Sequence, residues 1–144
     1  MKVVVQRVLK ASVSVNEEVR TISQGLLLYV GFTSGDDLAK LKKMASKILA
    51  LRIFDDEEGV MNRSVRDISG EILSISQFTL YADASKGNRP SYLKALNSKL
   101  ALPLYDEFNA ILKESNLIIK TGVFGGDMKI SSINDGPVTI LLEE

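Results

Sequence analysis

The sequence has no histidine, no cysteine and no tryptophan, and only three prolines in 144 residues. Without cysteine there is no disulfide, no thiol nucleophile and no zinc–thiolate site. The missing histidine excludes more. It removes the one side chain whose unperturbed pKa lies nearest neutrality, so Ser-His-Asp and Cys-His machinery is ruled out, and acid–base work falls to carboxylates, lysine, backbone groups, water or the substrate itself. Net charge is absent too. Eighteen basic and eighteen acidic residues cancel, leaving no overall field to draw in a polyanion, so a nucleic-acid partner needs a local patch. The longest apolar run, Leu26 to Val30, falls far short of the roughly 20 residues that cross a bilayer. The start, MKVVVQRVLK, is too interrupted for a signal peptide, which makes cytoplasmic residence the expectation and leaves no role for a membrane.

What is present describes an ordinary globular chain, 45% hydrophobic and 25% charged. Residues 1–144 suit a single domain, and a chain of this size buries about 68–70% of the surface its unfolded form exposes. Val3, Val5 and Val8 lead into Ser12-Val13-Ser14-Val15 with a near-alternation that needs a bulge around Arg7 or Lys10. Asn16-Glu17-Glu18 reads as a turn before a short strand from Val19 to Ile22. LLLYV between Gly25 and Gly31 is a central strand covered on both faces. Leu38, Leu41, Ala45, Ile48 and Leu49 recur at helical spacing after capping candidates at 34–37, and this helix ends near Leu51.

Leu100, Leu104, Phe108, Ile111 and Leu112 mark a second helical stripe, with Pro103 in a first turn or at a kink and a shorter helical piece around Tyr92 to Leu96. Strands follow at Leu117 to Thr121, Met128 to Ile133 and Val138 to Leu142, the last two separated by Asn134-Asp135-Gly136-Pro137. Two helices among about eight strands predict an α/β fold: a mixed sheet with both helices on one side and a second small antiparallel sheet on the other, in α/β/β layers. The apolar C-terminal strand leaves edge and face to cover, which predicts a homodimer.

Several stretches invite a chemical reading. Asp55-Asp56-Glu57-Glu58 lacks the alternating ligand spacing of a calcium loop and reads as a solvated turn. GVFGGD, from Gly122, is neither a dinucleotide fingerprint nor a Walker loop and reads as a glycine-rich turn. SQFTLYAD is different. If the strand through it is regular, Gln77 and Thr79 face one way and Ser76, Phe78 and Leu80 the other. Polar side chains at the end of an apolar strand need partners, because an unpaired buried group costs about 1–3 kcal/mol, and a strand end is where side chains and free N–H groups can meet a ligand together. In NDGPVT, Gly136-Pro137 is first of all a turn; a cis bond there would instead aim two carbonyls rigidly the same way, as a test of substrate shape.

MKVVVQRV with ASVSV, QGLLLYVGF, KMASKILALRIF, MNRSV, SQFTLYAD, KGNRPSY, PLYDEF, TGVFGGDM and NDGPVT together resemble the D-aminoacyl-tRNA deacylase family over essentially the whole chain. The resemblance implies a homodimer that hydrolyses the ester joining a D-amino acid, or glycine on the wrong tRNA, to the terminal ribose, without metal or cofactor. It implies Ser76, Gln77, Phe78 and Thr79 as one wall of the site, and a cis Gly136-Pro137 that reaches in from the other subunit and excludes L-amino acids. Here Gln77 and Thr79 orient the substrate, the Phe78 N–H polarises its carbonyl, and the ribose 2′-hydroxyl assists water, since no base stands beside Thr79 in sequence. Lys86 and Arg89 are the expected contacts to acceptor-end phosphates of the tRNA. Asn88 stands where the family's KG-R-R-P loop has its first arginine, which predicts one weaker phosphate contact. Two rivals remain: a noncatalytic dimeric RNA- or ligand-binding module on the same fold, and an amide hydrolase with Thr79 as nucleophile.

Overall fold

The computed structural model describes residues 1–144. The chain begins with β1 (Lys2–Val15), which turns at Asn16 and Glu17, both with positive φ, into β2 (Glu18–Ile22) and continues through β3 (Gly25–Gly31). Helix α1 (Leu38–Ala50) is capped by the Asp37 carboxylate, which accepts the Lys40 N–H. Two short strands, β4 (Phe54–Asp55) and β5 (Met61–Arg63), form a separate antiparallel pair. Then come β6 (Glu71–Ser76), a 3-10 turn (Phe78–Tyr81), α2 (Ser98–Lys113), β7 (Ile119–Thr121) and β8 (Lys129–Glu143).

The main sheet runs β2-β1-β3-β6-β7, with β8 on the other side of β1. β1 is antiparallel to β2, β3 and β8, whereas β3, β6 and β7 are mutually parallel, joined through α1 and α2 as crossovers. Neighbouring residues of the central strands feed opposite faces. Leu26, Leu28 and Ile72 enter a large core under Leu41, Met44 and Ile48 of α1 and Phe108 and Leu112 of α2. Leu27, Leu73 and Ile75 enter a smaller one with Val8, Ala11, Val13 and Ile22. The mixed sheet with two helices on one side is therefore as expected. The layer on the other face is made by the far halves of β1 and β8 curling over β3 and β6, so the main sheet nearly closes on itself.

That curl depends on the expected bulge. Val3 and Val5 belong to the large core but Val8, Ala11 and Val13 to the small one. A strict period of two cannot serve both, and the register with β8 breaks between Gln6 and Val8 and again between Val8 and Lys10. Opposite the single residue Arg7, β8 carries four, Asp135 to Val138. The two strands expected on either side of NDGP are consequently one strand, and the motif is a large bulge within it rather than a hairpin turn. Proline fits there because a bulged residue gives up no ladder bond.

Two helical expectations need correction. Tyr92 to Leu96 is not helical: the Ala95 N–H bonds the Tyr92 carbonyl in a single turn, and the Leu96 N–H is taken by Phe32. The buried face of α2 is Ala101, Tyr105, Phe108 and Leu112, rotated from the predicted stripe, with Leu100 62% exposed. Small Ala101 lets the helix start approach the sheet, and the Tyr105 hydroxyl finds a backbone acceptor there, so the helix turns these residues inward instead of two leucines. Pro103 lies past the first turn, where its ring removes the bond to the Lys99 carbonyl.

At Gly25, β3 lies so near β6 that a Cβ would fall inside the van der Waals radius of the Glu71 carbonyl oxygen. Neither backbone can yield without opening the parallel ladder. Gly25→Ala should cost about 3 kcal/mol or more, measurable by chemical denaturation; a loss under about 1 kcal/mol would show that the two strands are not held at this distance.

Candidate active site

β3 and β6 end side by side at Val30 and Ser76. One further bond, from the Gln77 N–H to the Val30 carbonyl at 2.7 Å, closes the parallel ladder. β7 ends three residues earlier, opposite Ser74, so the chain beyond Gln77 has no strand to pair with. It turns instead. Phe78–Tyr81 forms a 3-10 turn, with Leu80 N–H on the Gln77 carbonyl at 3.3 Å and Ala82 N–H on that of Thr79 at 3.0 Å. The alternation expected over residues 76–80 is thus broken at its third residue. One consequence is chemical: the Phe78 and Thr79 N–H groups find no backbone acceptor, as at the start of any helical turn.

A cavity of about 610 Å³ opens beyond these strand ends, mostly apolar in lining. Open parallel strands bind ligands at their carboxyl ends, and this cavity lies there. Ser76, Gln77 and Phe78 line one side and Ser98 and Ala101, at the start of α2, another. Phe78 is 57% exposed and meets Tyr92 edge-on at 5.1 Å between ring centres. Thr79 is half-buried beside this wall without lining it, and its hydroxyl receives a hydrogen bond from the Gln77 amide.

The remaining expected residues lie in two other places. Lys86 and Arg89 sit in an exposed loop closed at its base by paired backbone bonds between Asp83 and Ser91, each 2.8 Å. Asp83 also binds the Ser85 hydroxyl and amide and the Lys94 ammonium, and these contacts hold its carboxyl down at about 2. Lys86 and Arg89 make no salt bridge in the chain. The Gly136-Pro137 bond is cis and, within one chain, does not line the cavity.

Two cavity-wall groups, and the arginine that holds the Asp135–Val138 bulge, are not legible in the sequence. Arg7 is 6% exposed and grips the bulge opposite it: Nε lies 3.1 Å from the Asp135 carbonyl and 3.2 Å from its carboxylate, while Nη1 lies 2.7 Å from the Ile53 carbonyl and 3.2 Å from Asp55. A lone arginine in a valine-rich strand was the available signal. The glycine-rich loop, taken only as a turn, supplies Phe124, Gly125, Gly126 and Asp127 to the cavity wall. Tyr92, read in the sequence only as the start of a helical piece, lines the cavity as well. At Asp56 to Glu58 the acidic run is a solvated turn as expected, with Asp56 accepting the Glu58 and Val60 N–H groups and Glu57 pairing with Arg63, whereas Asp55 goes to the buried Arg7.

The family model for D-Tyr-tRNA(Tyr) deacylase matches residues 4–143. A D-aminoacyl-tRNA deacylase of Chlorobaculum parvum is 53% identical over 99% of this chain and 97% of its own, and one of Exiguobacterium sibiricum is 50% identical over the full length of both. Among solved structures, one titled c-Myc DNA Unwinding Element Binding Protein superposes with a TM-score of 0.93 at 42% identity, covering 100% of this chain and 99% of its own. A probable eukaryotic D-amino acid tRNA deacylase shares the fold, with a TM-score of 0.84 at 18% identity over 98% of this chain and 97% of its own. With the family model spanning nearly every residue and relatives at half identity from end to end, the chain belongs to the D-Tyr-tRNA(Tyr) deacylase family.

Proposed function

We propose that the protein hydrolyses the ester that joins a D-amino acid, or glycine carried by the wrong tRNA, to the terminal ribose of tRNA in the cytoplasm. The observation that carries this reading is the apolar cavity at the ends of β3 and β6, walled by Ser76, Gln77 and Phe78, in a chain of this family that has no histidine. The ester carbon takes a water oxygen, the bond to the ribose oxygen breaks, and that oxygen leaves with a proton. The neighbouring 2′-hydroxyl of the substrate relays the proton, and the free N–H of Phe78 steadies the charge that gathers on the carbonyl oxygen. Thr79 orients the substrate through the Gln77 amide it holds rather than attacking it. Its hydroxyl receives a hydrogen bond from Gln77, which draws electron density away from the oxygen, and an attacking hydroxyl needs the opposite, an acceptor for its own proton.

Chirality is read by Gly136-Pro137 of a second copy of the chain. β8 supports this assembly: it pairs only with β1 and exposes Ile133 (57%) and Leu141 (61%). In the pair, the gate presents backbone carbonyls where an L side chain would have to sit, and hydrogen or a D side chain passes. Arg7 holds the gate. A planar guanidinium that satisfies Asp135, Ile53 and Asp55 at once fixes the bulge against β1 in a way an ammonium cannot.

One comparison favours a second reading. The solved chain with 42% identity is titled as a DNA-element-binding protein, which suits a nucleic-acid module without turnover. D-Tyr-tRNA, L-Tyr-tRNA and a D-Tyr peptide separate the possibilities: release of tyrosine from the first alone supports the deacylase, binding without release the module, and cleavage of the peptide the amide hydrolase.

Four outcomes are expected. Thr79→Val should lower turnover by about 10-fold to 100-fold and leave residual hydrolysis; near-complete loss with intact substrate binding would restore Thr79 as nucleophile. Arg7→Lys should reduce the preference for D-Tyr-tRNA over L-Tyr-tRNA about tenfold or more; an unchanged ratio in a folded variant would detach Arg7 from the gate. Lys86→Ala with Arg89→Ala should weaken tRNA binding and flatten its logarithmic salt dependence by about 1 to 2 units; an unchanged slope would place the phosphates elsewhere. For Asp83 the folded pKa lies below the unfolded value of about 3.9, so its contribution to loop stability is complete above that pH and vanishes as pH falls through about 2. The Ser85 amide resonance should follow that titration, and a midpoint near 4 would mean the loop is open in solution.

A further inference from the structure

We infer that Tyr105, on the buried face of α2, is a positioning residue for the hydrolysis, acting through the Ser74 carbonyl and Phe124 to hold two walls of the cavity at fixed separation. Tyr105 does not itself line the cavity and is only 3% exposed, so it would act through the residues it touches. Its hydroxyl donates to the Ser74 carbonyl at 2.8 Å, and the same carbonyl accepts the Gly122 N–H at 3.0 Å. One oxygen thus joins α2, β6 and the start of the glycine-rich loop. Ser74 is two residues before Ser76, so any shift at its peptide passes along an extended backbone directly into Ser76, Gln77 and Phe78. On the other side the Tyr105 ring meets Phe124, a residue of the opposing wall, at 5.8 Å between centres.

The surroundings of the hydroxyl fit this role. Asn109 donates from Nδ2 to the Tyr105 carbonyl at 2.9 Å, while Asn109 Oδ1 and Ser74 Oγ, both buried, have no partner in the chain. Burial raises the Tyr105 pKa, so the hydroxyl keeps its proton and remains a donor through neutral and mildly alkaline pH. A core tyrosine could have been a phenylalanine if filling space were its only task. Here its oxygen reaches a carbonyl that β6 already shares with the start of the glycine-rich loop. Catalysis by positioning is sensitive to such supports, since a misplacement of about 1 Å can cost about 100-fold in rate.

This inference rests on the deacylase reading, and Tyr105→Phe tests it by keeping the ring and removing the oxygen. With D-Tyr-tRNA, kcat should fall about tenfold or more while KM stays within about twofold. Ile111→Ala, on the same helix but away from Ser74, serves as a control for lost stability and should leave kcat unchanged. A folded Tyr105→Phe enzyme with wild-type kcat, or an equal loss in Ile111→Ala, would overturn the inference while leaving the function intact. No turnover by the wild-type enzyme would remove both. Should Tyr105→Phe not fold, the wild-type protein answers by NMR: the slowly exchanging Tyr105 hydroxyl proton should shift when a non-hydrolysable D-tyrosyl amide of adenosine fills the cavity, and an unmoved signal at saturation would overturn the proposal.

Discussion

A single buried guanidinium reconciles the fold with its site. β1 must serve two cores that lie on opposite faces of the sheet, and a strand with period two can do so only by losing register. It loses register at Arg7, where one residue faces four of β8. Such a gap would ordinarily collapse or fray. The arginine fills it and, having been removed from water, must satisfy its donors on whatever backbone lies near, which is the bulge itself and the Ile53 carbonyl. The same requirement that keeps the charge from being unpaired therefore immobilises Asp135 and the Gly136-Pro137 pair behind it. A valine at this position would pack more easily but hold nothing.

The absence of histidine sets the style of the chemistry. An enzyme that supplies its own base can tolerate some slack, because a strong nucleophile compensates for imperfect alignment. In the proposed mechanism the reactive hydroxyl belongs to the ribose and the attacking group is water, so the protein contributes geometry and a few unpaired donors. Those donors exist because β6 runs out of neighbours. Once β7 stops at Thr121 the chain cannot continue as a strand, and the turn it adopts leaves the N–H groups of Phe78 and Thr79 without acceptors. Sheet topology thus leaves unpaired donors at the strand end that, with the side chains of Ser76 and Gln77, borders the mostly apolar cavity.

This also explains which parts were legible in the sequence. β3 and α1 stand where apolar runs and periodic lysines predict them, because each is defined by its own residues. The bulge was visible as a fault in the alternation of β1. By contrast, the bend after Gln77 depends on the length of β7, more than forty residues away, and no local pattern around SQFT records it. NDGP reads as a turn because Asn, Asp, Gly and Pro favour turns in isolation; only the pairing of Gln6 with Thr139 and Val8 with Asn134 makes it a bulge inside one strand. Arg7 marks the expected bulge, but its grip on β8 is not legible for a related reason. A charged residue among valines looks like a surface position until the acceptors that bury it, all distant in sequence, are in place.

The proposed gate and the cavity are held by different devices, and the division follows from what each would have to do. A device that rejects by fit needs stiffness at one point, which a multidentate charge–carbonyl clamp provides even with half its partners near solvent. The cavity must instead keep β6 and the glycine-rich loop apart at a constant distance while admitting a flexible polymer end, and it lies against the helices rather than at an edge. A buried neutral hydroxyl shared through one carbonyl suits that place, because it adds no charge to a core that could not solvate one. On the proposed reading, selectivity and rate rest on separate contacts, Arg7 for the first and the Ser74 carbonyl for the second, so that disturbing either need not disturb the other.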